Sequence, residues 1–588
     1  MTGVMTSEPA ERTDAVSVGA VVERIAFATG ASIMVLLGLV LIGAVAGELV
    51  KQRPGPWLVA FAAAGQLGYL AWATRPDRTP TRVLVVGAAF AITWITILIA
   101  GIALGQIRDT SVDGPHYQGE SVRQIARGWN PLHSPELRST DLQPLVFTNS
   151  YAKGPWYLEA TVMRAGGDFE SSKLVNALTA VGAVLLAYSM FRKLGRAVWL
   201  SLLGAALLGA NPVVSFEIGT HMTDGLTVMV LTATFALAVF AFTKHDTRMV
   251  MPALILSLLL LVNTKATGII MAGVMVFGTL FVAALVTRSW TEHRGLLVIV
   301  ASTIVVGILV VGFNPYVMNV IRHGNPAYPV LGTTYGDQLE KFEVGPLDED
   351  PAPIRLPISL MSRSGNVRTL KIPFTFTTGE WKIFQHNRPT VGGFGPLFGG
   401  ALLLAALASA VALIRRPRER NSPLTNLVLI GAALGVISAL LIPVASSARL
   451  GPQVWMVPIL AMLAVSGATQ TRSSVRVLAV LVLAVLMVNA AGVAALAVRG
   501  QRIRSSELDA SLRRVRALPG PLDAEFGVWP SAEQHRLSDA GIRFTARRNV
   551  TCADGYLLTA GSRLVRVNSS FIKRPVSGTL LCPAAPIG

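Results

Sequence analysis

The chain alternates between long apolar stretches and short polar segments. Thirteen stretches come close to the roughly 20 residues that an α-helix needs to cross the hydrocarbon core of a bilayer. They lie near residues 26–49, 57–74, 83–106, 174–191, 197–213, 225–243, 249–263, 268–287, 296–313, 396–414, 425–443, 453–469 and 477–498. The pattern predicts an all-α polytopic membrane protein with about 13 transmembrane helices.

The beginning of the chain and its shortest apolar stretch add detail. Segment 1–25 is mostly polar, and the apolar stretch after it is too long for a cleaved signal peptide. We therefore predict a retained first span. Stretch 249–263 is short, so an alternative is that it and 268–287 form a hairpin that dips into the bilayer from the outer face.

Composition agrees with a membrane protein. Of the 588 residues, 52% are hydrophobic and only 14% are charged, whereas about a quarter are charged in soluble proteins. The 51 Lys and Arg outnumber the 33 Asp and Glu, but no basic stripe interleaved with aromatic residues occurs. We interpret the excess as short cytoplasmic loops beside anionic lipid, with no nucleic-acid partner.

The distribution of Lys and Arg predicts the orientation of the spans. With the N-terminus inside, the inner segments carry 18 basic residues and the short outer loops carry four. These four are Lys51, Arg53, Lys265 and Arg449. Because basic loops stay in the cytoplasm, we expect a cytoplasmic tail over 1–25 and an extracytoplasmic C-terminus.

Three long polar segments then fall on the outer side of the membrane. Segments 107–173 and 314–395 are outer loops of a transmembrane bundle that spans 26–498, and 499–588 is a C-terminal domain. Strand-like stretches such as Tyr556–Thr559 and Leu564–Val567 predict a small extracytoplasmic α+β domain there.

The two cysteines of the chain, Cys552 and Cys582, both lie in this C-terminal domain. An outward-facing compartment permits a disulfide, and a pair confined to one small domain fits that use. The alternative is two free thiols.

Several kinds of chemistry find no support in the sequence. It contains no P-loop, no Rossmann glycine fingerprint and no Cys/His metal spacing. The cytoplasmic loops are too short for a nucleotide-hydrolysing site, which disfavours a primary pump. The ionisable residues of interest lie on the outer loops, close to helix ends.

Asp113 is the first of these residues, a few positions past the end of the third span. A carboxylate at the level of the headgroups can act as a general base on an alcohol or coordinate a metal. The alternative is that Asp113-Gly114-Pro115 simply forms a turn, which this tripeptide favours.

Three cations emerge on the same predicted face as Asp113 and Asp224, namely Lys153, Lys265 and Arg449. Cations near lipid often only reach for the interface. A cluster of carboxylates and cations at the lipid–water boundary is, however, what a phosphate-linked lipid substrate requires, since cations hold the phosphate and a carboxylate handles the proton.

The order of motifs resembles the GT-C superfamily of polyprenyl-phosphate-sugar-dependent glycosyltransferases, in particular the bacterial branch related to protein O-mannosyltransferases and aminoarabinose transferases. The counterparts of its motifs cover roughly residues 107 to 460. They are Asp113 with Tyr117, Gly128-Trp129-Asn130-Pro131, Tyr151-Ala152-Lys153-Gly154, Asn211-Pro212 with Asp224, Gly324-Asn325-Pro326-Ala327-Tyr328-Pro329, and Arg449-Leu450-Gly451-Pro452-Gln453.

This sequence departs from the family pattern at several positions. Gln118 stands where the family often has His, while His116 precedes the Tyr; Ala152 replaces a Pro, and Leu450 replaces an aromatic residue. The large first loop follows the third span here rather than the first, which implies two extra N-terminal helices.

The resemblance implies an inverting sugar transfer. Asp113 would take the proton of the acceptor hydroxyl, and Lys153, Lys265 and Arg449 would hold the leaving phosphate. Asp224 and His221 would position the acceptor or share a divalent metal with Asp113, and whether a metal takes part stays open. The remaining substrate-binding candidates are His116, Tyr117 and Gln453.

The expected partners are a polyprenyl-phosphate sugar donor, membrane lipid, and a glycan, lipid or protein acceptor. One alternative is a polymerase or ligase that moves a whole lipid-linked oligosaccharide. Another is a transporter or flippase, which the scarcity of charge deep within the spans and the lack of a visible internal repeat disfavour. A non-catalytic scaffold whose outer domain binds glycans is a further alternative.

Overall fold

The structure is a computed structural model. It describes residues 18–137, 145–330, 332–333, 345–365, 368–386, 391–414, 423–466, 473–527, 530–559, 563–568, 572 and 578–583.

Helices make up most of the described chain. The first half contains α1 (Val18–Leu49), α2 (Pro56–Ala73), α3 (Thr79–Gly105), α4 (Gly119–Arg127), α5 (Val146–Ser150), α6 (Gly154–Arg164), α7 (Leu174–Lys193), α8 (Val198–Gly209), α9 (Pro212–Glu217), α10 (Asp224–Phe242) and α11 (Thr247–Thr264). The second half contains α12 (Ala266–Ile270), α13 (Thr279–Val286), α14 (Trp290–Val306), α15 (Met318–His323), α16 (Ala352–Met361), α17 (Thr378–His386), α18 (Phe398–Ile414), α19 (Pro423–Leu440), α20 (Met456–Ser466), α21 (Ser473–Arg516) and α22 (Pro530–Asp539).

Short segments of other helix types join these elements. The wider π-type turns are Gly114–Gln118, Met271–Gly278, Gly307–Val311 and Phe313–Val317, and the tighter 3₁₀ turns are Ser171–Lys173, Gly345–Leu347 and Pro452–Trp455.

Nine helical segments of the described chain are long and apolar enough to cross a membrane. They are Val18–Leu49, Thr79–Gly105, Ser171–Lys193, Asp224–Phe242, Thr247–Thr264, Ala266–Val286, Trp290–Val311, Pro423–Leu440 and Ser473–Arg516. The other four predicted stretches contain the shorter or less apolar helices α2, α8, α18 and α20. The predicted all-α polytopic class is confirmed, and the count of thirteen spans stays a prediction.

Helix α1 lies at the centre of the bundle, where it packs against α2, α3, α7 and α11. Glycines allow the close approach to α7: a Cβ added at Gly30 would lie 2.7 Å from Leu186 and 2.9 Å from the carbonyl of Gly182. By contrast, α3 exposes apolar side chains such as Leu98 along much of its length. Helix α3 therefore lies at the edge of the bundle, and the expectation of two extra N-terminal helices stays a prediction.

The short stretch 249–263 is part of α11, an 18-residue helix. Lys265 follows in an extended conformation, with φ −166° and ψ 158°, and the chain then turns back into α12. Both arms of this pair are long enough to cross a membrane, so the structure does not require the shallow hairpin.

Helix α21 connects the bundle to the C-terminal domain without a break. It runs for 44 residues, and the predicted boundary at 498/499 lies inside it. Five strands follow: β1 (Leu522–Phe526), β2 (Phe544–Ala546), β3 (Gly555–Leu558), β4 (Leu564–Val567) and β5 (Thr579–Pro583).

The strands form one sheet in the order β2-β1-β5-β3-β4, with β1 and β2 parallel and the other pairs antiparallel. The sheet and the end of α21 share an apolar core that includes Leu508, Leu512 and Leu581. Cys552 and Cys582 form the predicted disulfide, with their Cα atoms 6.0 Å apart. The small α+β domain and its disulfide are confirmed.

Candidate active site

Four segments that are distant in sequence meet at one end of the bundle, which we call the site face. Asp113 lies at the start of the turn Gly114–Gln118, and Asp224 is the first residue of α10. Lys265 lies between α11 and α12, and Arg449 lies in the loop between α19 and the turn Pro452–Trp455.

Arg449 joins the two aspartates. Its Nη2 donates to Asp113 Oδ2 at 2.7 Å, and its Nε donates to Asp224 Oδ2 at 3.0 Å. The second oxygen of Asp224 accepts a hydrogen bond from the ammonium of Lys265. We call these four side chains the charge cluster.

The charge cluster is largely shielded from solvent. The side chains of Arg449 and Asp224 are 5% and 3% exposed, whereas those of Lys265 and Asp113 are 17% and 18% exposed. Buried charges are stable only when paired, and two carboxylates here meet two cations. The more open Lys265 and Asp113 mark the side from which a substrate can approach.

Glu217 lies behind Asp224. Its Oε2 accepts a hydrogen bond from the backbone N–H of Gly225 at 2.6 Å, in the first turn of α10. Its Oε1 is buried without a hydrogen-bond partner among the residues that the structure describes. Burial, and then the charge of Asp224, raise the pKa of Glu217, which favours its protonated form.

Tyr117 and Gln118 form the wall beside the charge cluster. The Gln118 amide donates to the hydroxyl of Tyr117 at 3.2 Å and to that of Thr223 at 3.4 Å, and its oxygen accepts from the indole of Trp156. Burial, and then the charge of Asp113, raise the pKa of Tyr117, so its hydroxyl stays protonated and can donate.

His116 is buried beside the same loop. Burial, helped by the charge of Arg536, lowers the pKa of His116 to about 3, although Asp113 opposes the shift. The imidazole is therefore neutral near pH 7 and adds no charge to the site.

Lys153 makes contacts of a different kind, and we call its surroundings the lysine pocket. Its ammonium donates to the carbonyls of Asn149 at 3.0 Å and Tyr151 at 2.6 Å. The rings of Trp129 and Trp156 lie 5.9 and 5.4 Å from it. Burial lowers the pKa of Lys153 to about 7, against a smaller opposite effect of Glu48.

His221 belongs to a different buried group. Its Nδ1 lies 2.8 Å from Glu159 Oε2, its ring stacks on Phe169, and its backbone N–H donates to Asp109 at 2.7 Å. Burial lowers the pKa of His221 and raises that of Glu159, so both shifts favour the neutral forms. The contacts of His221 thus hold the first loop against the segment before α10.

Gln453 is fully buried, and its amide donates to the hydroxyl of Ser438 at 3.2 Å. This bond links the turn Pro452–Trp455 to α19. None of its hydrogen bonds among the described residues reaches the charge cluster, so we assign Gln453 no role in the chemistry proposed below.

The described residues of the site do not fit a metal centre. Within the described ranges, no group of three or more His, Cys, Asp or Glu side chains is placed to hold a metal ion. The carboxylates of Asp113 and Asp224 face cations, which compete with a metal for the same oxygens. We derive no step through a metal.

An apolar cleft of about 790 Å³ lies elsewhere, between α1, α3, α6 and α7. Helix α6 lines it with Leu158 and Thr161, while Glu159 of the same helix contacts His221. No residue of the charge cluster lines the cleft, so we place the chemistry at the charge cluster instead.

The C-terminal domain contacts the first loop next to Asp113. His535 of α22 lies 3.0 Å from Glu120 of α4, and Arg123 pairs with Asp539 at 2.6 Å. Arg536 donates to the backbone carbonyl of Asp109 at 2.9 Å. The domain therefore braces the loop that carries Asp113.

Four supporting residues received no role from sequence reasoning, namely Gln118, Glu159, Glu217 and Arg536. For Gln118 a signal existed, because it follows Tyr117 directly in the polar segment that begins at Asp109. For Arg536 the sequence contained no such signal, since its contact with the first loop depends on how the C-terminal domain packs against the bundle.

Comparisons with known proteins give one likeness to report. No protein-family model matches the chain, and no curated protein matches its sequence. Among solved structures, the chain is similar to the crystal structure of ArnT from Cupriavidus metallidurans bound to undecaprenyl phosphate. The sequences are 17% identical, and the match covers 78% of this chain and 86% of that one with a TM-score of 0.41. Because both values are low, we base the proposed function on the residues of this chain.

Proposed function

We propose that the chain is a membrane glycosyltransferase that moves a sugar from a polyprenyl-phosphate donor to an acceptor hydroxyl. The observation that carries the proposal is the charge cluster, in which Arg449 bridges Asp113 and Asp224 while Lys265 pairs with Asp224. The cluster lies at the end of a bundle of apolar helices, where a lipid-linked phosphate can reach it from the bilayer.

The cations suit a phosphate ligand. Arg449 presents a planar guanidinium fork, and Lys265 is the more exposed partner. In the free enzyme their charges are balanced by Asp224 and Asp113. An arriving donor phosphate takes over part of this pairing, and the same two cations then stabilise the phosphate that leaves when the sugar bond breaks.

Asp113 is the general base of the proposed reaction. When Arg449 turns toward the donor phosphate, an oxygen of Asp113 becomes available to the acceptor hydroxyl. The hydroxyl oxygen attacks the anomeric carbon, its proton passes to Asp113, and the bond from that carbon to the phosphate oxygen breaks. Attack from the face opposite the phosphate inverts the anomeric configuration.

Other residues of the site hold these groups in place. The Tyr117 hydroxyl, kept protonated by burial, can donate a hydrogen bond to the sugar or the acceptor. Glu217 caps the helix that begins with Asp224. Lys153, engaged by backbone carbonyls, supports the loop wall rather than the phosphate.

The charge pattern of the loops supports a cytoplasmic N-terminus, and the disulfide supports an extracytoplasmic C-terminal domain. This orientation places the site face on the outer side of a bacterial plasma membrane. The donor would then be drawn from the outer leaflet.

Asp113→Asn tests the proposal. The amide keeps the size of the carboxylate but cannot take the proton, so we expect transfer from a defined lipid-linked donor to fall about 10²–10⁴-fold. Asp554→Asn is the control, because Asp554 lies in an exposed ion pair of the C-terminal domain. Wild-type turnover in the Asp113 variant would remove Asp113 from the reaction.

The choice of donor separates the proposal from its closest alternative. Purified protein is given a polyprenyl-phosphate monosaccharide and, in parallel, a lipid-linked oligosaccharide. Transfer from the monosaccharide alone supports the proposal, and transfer of the whole oligosaccharide alone indicates a polymerase or ligase. Movement of the intact lipid across proteoliposomes without transfer indicates a flippase.

A further inference from the structure

The segment from Leu370 to Gly379 exposes apolar side chains at alternate positions on the site face. Leu370, Ile372 and Phe376 are 63%, 75% and 55% exposed, and Phe374 is 38% exposed. No charged residue occurs between Lys371 and Glu380. Water disfavours such an apolar surface, whereas the interior of a bilayer does not.

The two charged residues at the base of this segment, Lys371 and Glu380, form an ion pair inside the protein. Lys371 Nζ lies 2.5 Å from Glu380 Oε1, and the two side chains are 6% and 3% exposed. The same ammonium donates to the carbonyl of Pro396 at 2.8 Å, two residues before α18. The exposed tip, Ile372–Gly379, is therefore free of charge and is fastened at its base to a membrane helix.

Two aromatic contacts place this tip below the ends of the spans. A Cβ added at Gly400 of α18 would lie 2.7 Å from the ring of Phe374, and one added at Gly492 of α21 would lie 2.5 Å from the ring of Trp381. Gly492 precedes the predicted end of its span at 498 by six residues, which is about 9 Å along a helix. The tip thus lies beside the membrane helices rather than above them.

Part of the backbone of the tip is hydrogen-bonded within the protein. The N–H and the hydroxyl of Thr375 both donate to the carbonyl of Ile372, at 3.1 and 2.6 Å. Pro373 has no N–H to satisfy. The N–H of Thr377 donates to Glu380 at 2.9 Å. Each of these internal bonds lowers the cost of moving the turn from water into lipid.

From these observations we infer that Ile372–Gly379 inserts into the membrane leaflet on the site face and binds lipid acyl chains with its apolar side chains. The depth of the neighbouring contacts favours lipid over a protein partner as the occupant of this surface.

The inserted tip is connected to the loop that carries Arg449. Glu380 accepts from the backbone N–H of Ser364 at 3.2 Å, and the hydroxyl of Ser364 donates to the carbonyl of Gly392 at 2.8 Å. The N–H of Gly392 donates to Ser359, whose hydroxyl donates to the carbonyl of Ser446 at 2.5 Å. Insertion therefore sets the height of the Arg449 loop relative to the lipid.

Site-directed fluorescence tests the insertion without any assay of activity. Both native cysteines are in the disulfide, so a single added cysteine can be labelled with an environment-sensitive dye under non-reducing conditions. The variants are Ile372→Cys, Leu98→Cys on the lipid-facing side of α3, and Val565→Cys in the C-terminal sheet; these side chains are 75%, 62% and 47% exposed. The full-length protein is reconstituted in nanodiscs with or without spin-labelled phospholipid.

Insertion predicts that the label at 372 loses most of its fluorescence to the spin-labelled lipid, as the label at 98 does, and that its emission is shifted to the blue. The label at 565 should keep its fluorescence and be quenched by iodide in the water phase. A label at 372 that behaves like the one at 565 overturns the inference. If position 372 tolerates no cysteine, Phe376→Cys gives the same comparison, and neither result depends on the proposed sugar transfer.

Discussion

The charge cluster and the lysine pocket bury cations in different ways. In the charge cluster, Arg449 and Lys265 meet the carboxylates of Asp113 and Asp224. In the lysine pocket, Lys153 meets two neutral carbonyls and two indole rings. The resemblance implies one phosphate-binding role for all three cations, but their contacts in the structure differ.

The difference lies in what keeps each cation charged. A carboxylate partner compensates a buried cation for the loss of water, so the cation stays charged. It can then exchange this partner for a phosphate. Carbonyls compensate less, which is why burial lowers the pKa of Lys153 to about 7. A neutral amine still has two N–H groups, which suffice for the carbonyls of Asn149 and Tyr151.

Among the variants that compare the two regions, replacement of the bridging cation should have the largest effect. Arg449→Ala should lower kcat/KM for the lipid-linked donor about 10²–10³-fold, because truncating one partner of a buried charge pair costs about 2–5 kcal/mol. Arg449→Lys keeps the charge but cannot span both aspartates, so it should fall between the alanine variant and the wild type. Initial rates over a range of donor concentrations measure the effect.

The matched control for this prediction is Arg566→Ala, which breaks an exposed pair with Asp554 and should leave the kinetics unchanged. Size-exclusion profiles show whether each variant is folded. Equal donor dependence in Arg449→Lys, Arg449→Ala and the wild type would place the phosphate elsewhere and remove the distinction between the two regions.

A second prediction concerns the pH dependence of stability in the lysine pocket. Between about pH 7 and 10.5 the unfolded chain holds a proton on Lys153 that the folded protein has lost, so stability rises with pH there. Lys153→Met removes this contribution. The variant should gain most over the wild type below pH 7 and lose that advantage toward pH 10, with a slope of at most about 1.4 kcal/mol per pH unit.

The slope is the informative quantity, because the loss of hydrogen bonds to Asn149 and Tyr151 adds an offset that does not depend on pH. Thermal unfolding in detergent from pH 6 to pH 10 gives the slope, and the exposed Lys193→Met is the control. An advantage for Lys153→Met that stays constant over this range would show that Lys153 keeps its charge and belongs with the charge cluster.

Gln118 lies between the two regions and should show the smallest effect. It bonds to Tyr117 and Thr223 on one side and to Trp156, a wall of the lysine pocket, on the other. Gln118→Ala should lower kcat about tenfold, since each lost hydrogen bond contributes about 0.5–1.5 kcal/mol. Steady-state rates with saturating donor measure it.

If Gln118→Ala also changes the pH slope of stability, the lysine pocket and the charge cluster act as one unit. If Gln118→Ala changes neither kcat nor that slope, the hydrogen bonds of Gln118 do not couple the lysine pocket to the charge cluster. Gln124→Ala is the matched control, because that amide lies in the same loop and bonds to Glu120 instead.

Much of the charge cluster could be predicted from the sequence. Counting spans placed Asp113, Asp224, Lys265 and Arg449 on one face, because each lies at the same end of a helix that crosses the bundle. Such placement depends only on where apolar stretches begin and end. The roles of these residues stay predictions.

The direction of side chains within the loops could not be predicted in the same way. Lys153 and His221 lie on the predicted face, yet one turns to backbone carbonyls and the other to Glu159. In irregular segments the orientation of a side chain is set by tertiary packing and not by a sequence period. Strands β3 and β4 could be predicted because their residues form local strand-like patterns. The parallel pairing of β1 with β2 could not be predicted, because it depends on tertiary packing.

The unbroken helix α21 extends from the bundle into the C-terminal domain as one continuous arm. Its last 18 residues, 499–516, extend about 27 Å past the predicted end of the span and carry the sheet domain. Spans tilt when the thickness of the bilayer changes, and a tilt of about 10° moves the far end of such an arm by about 5 Å. Since the domain also holds the first loop through Arg536, a tilt of α21 would carry over to the carbonyl of Asp109, four residues before Asp113.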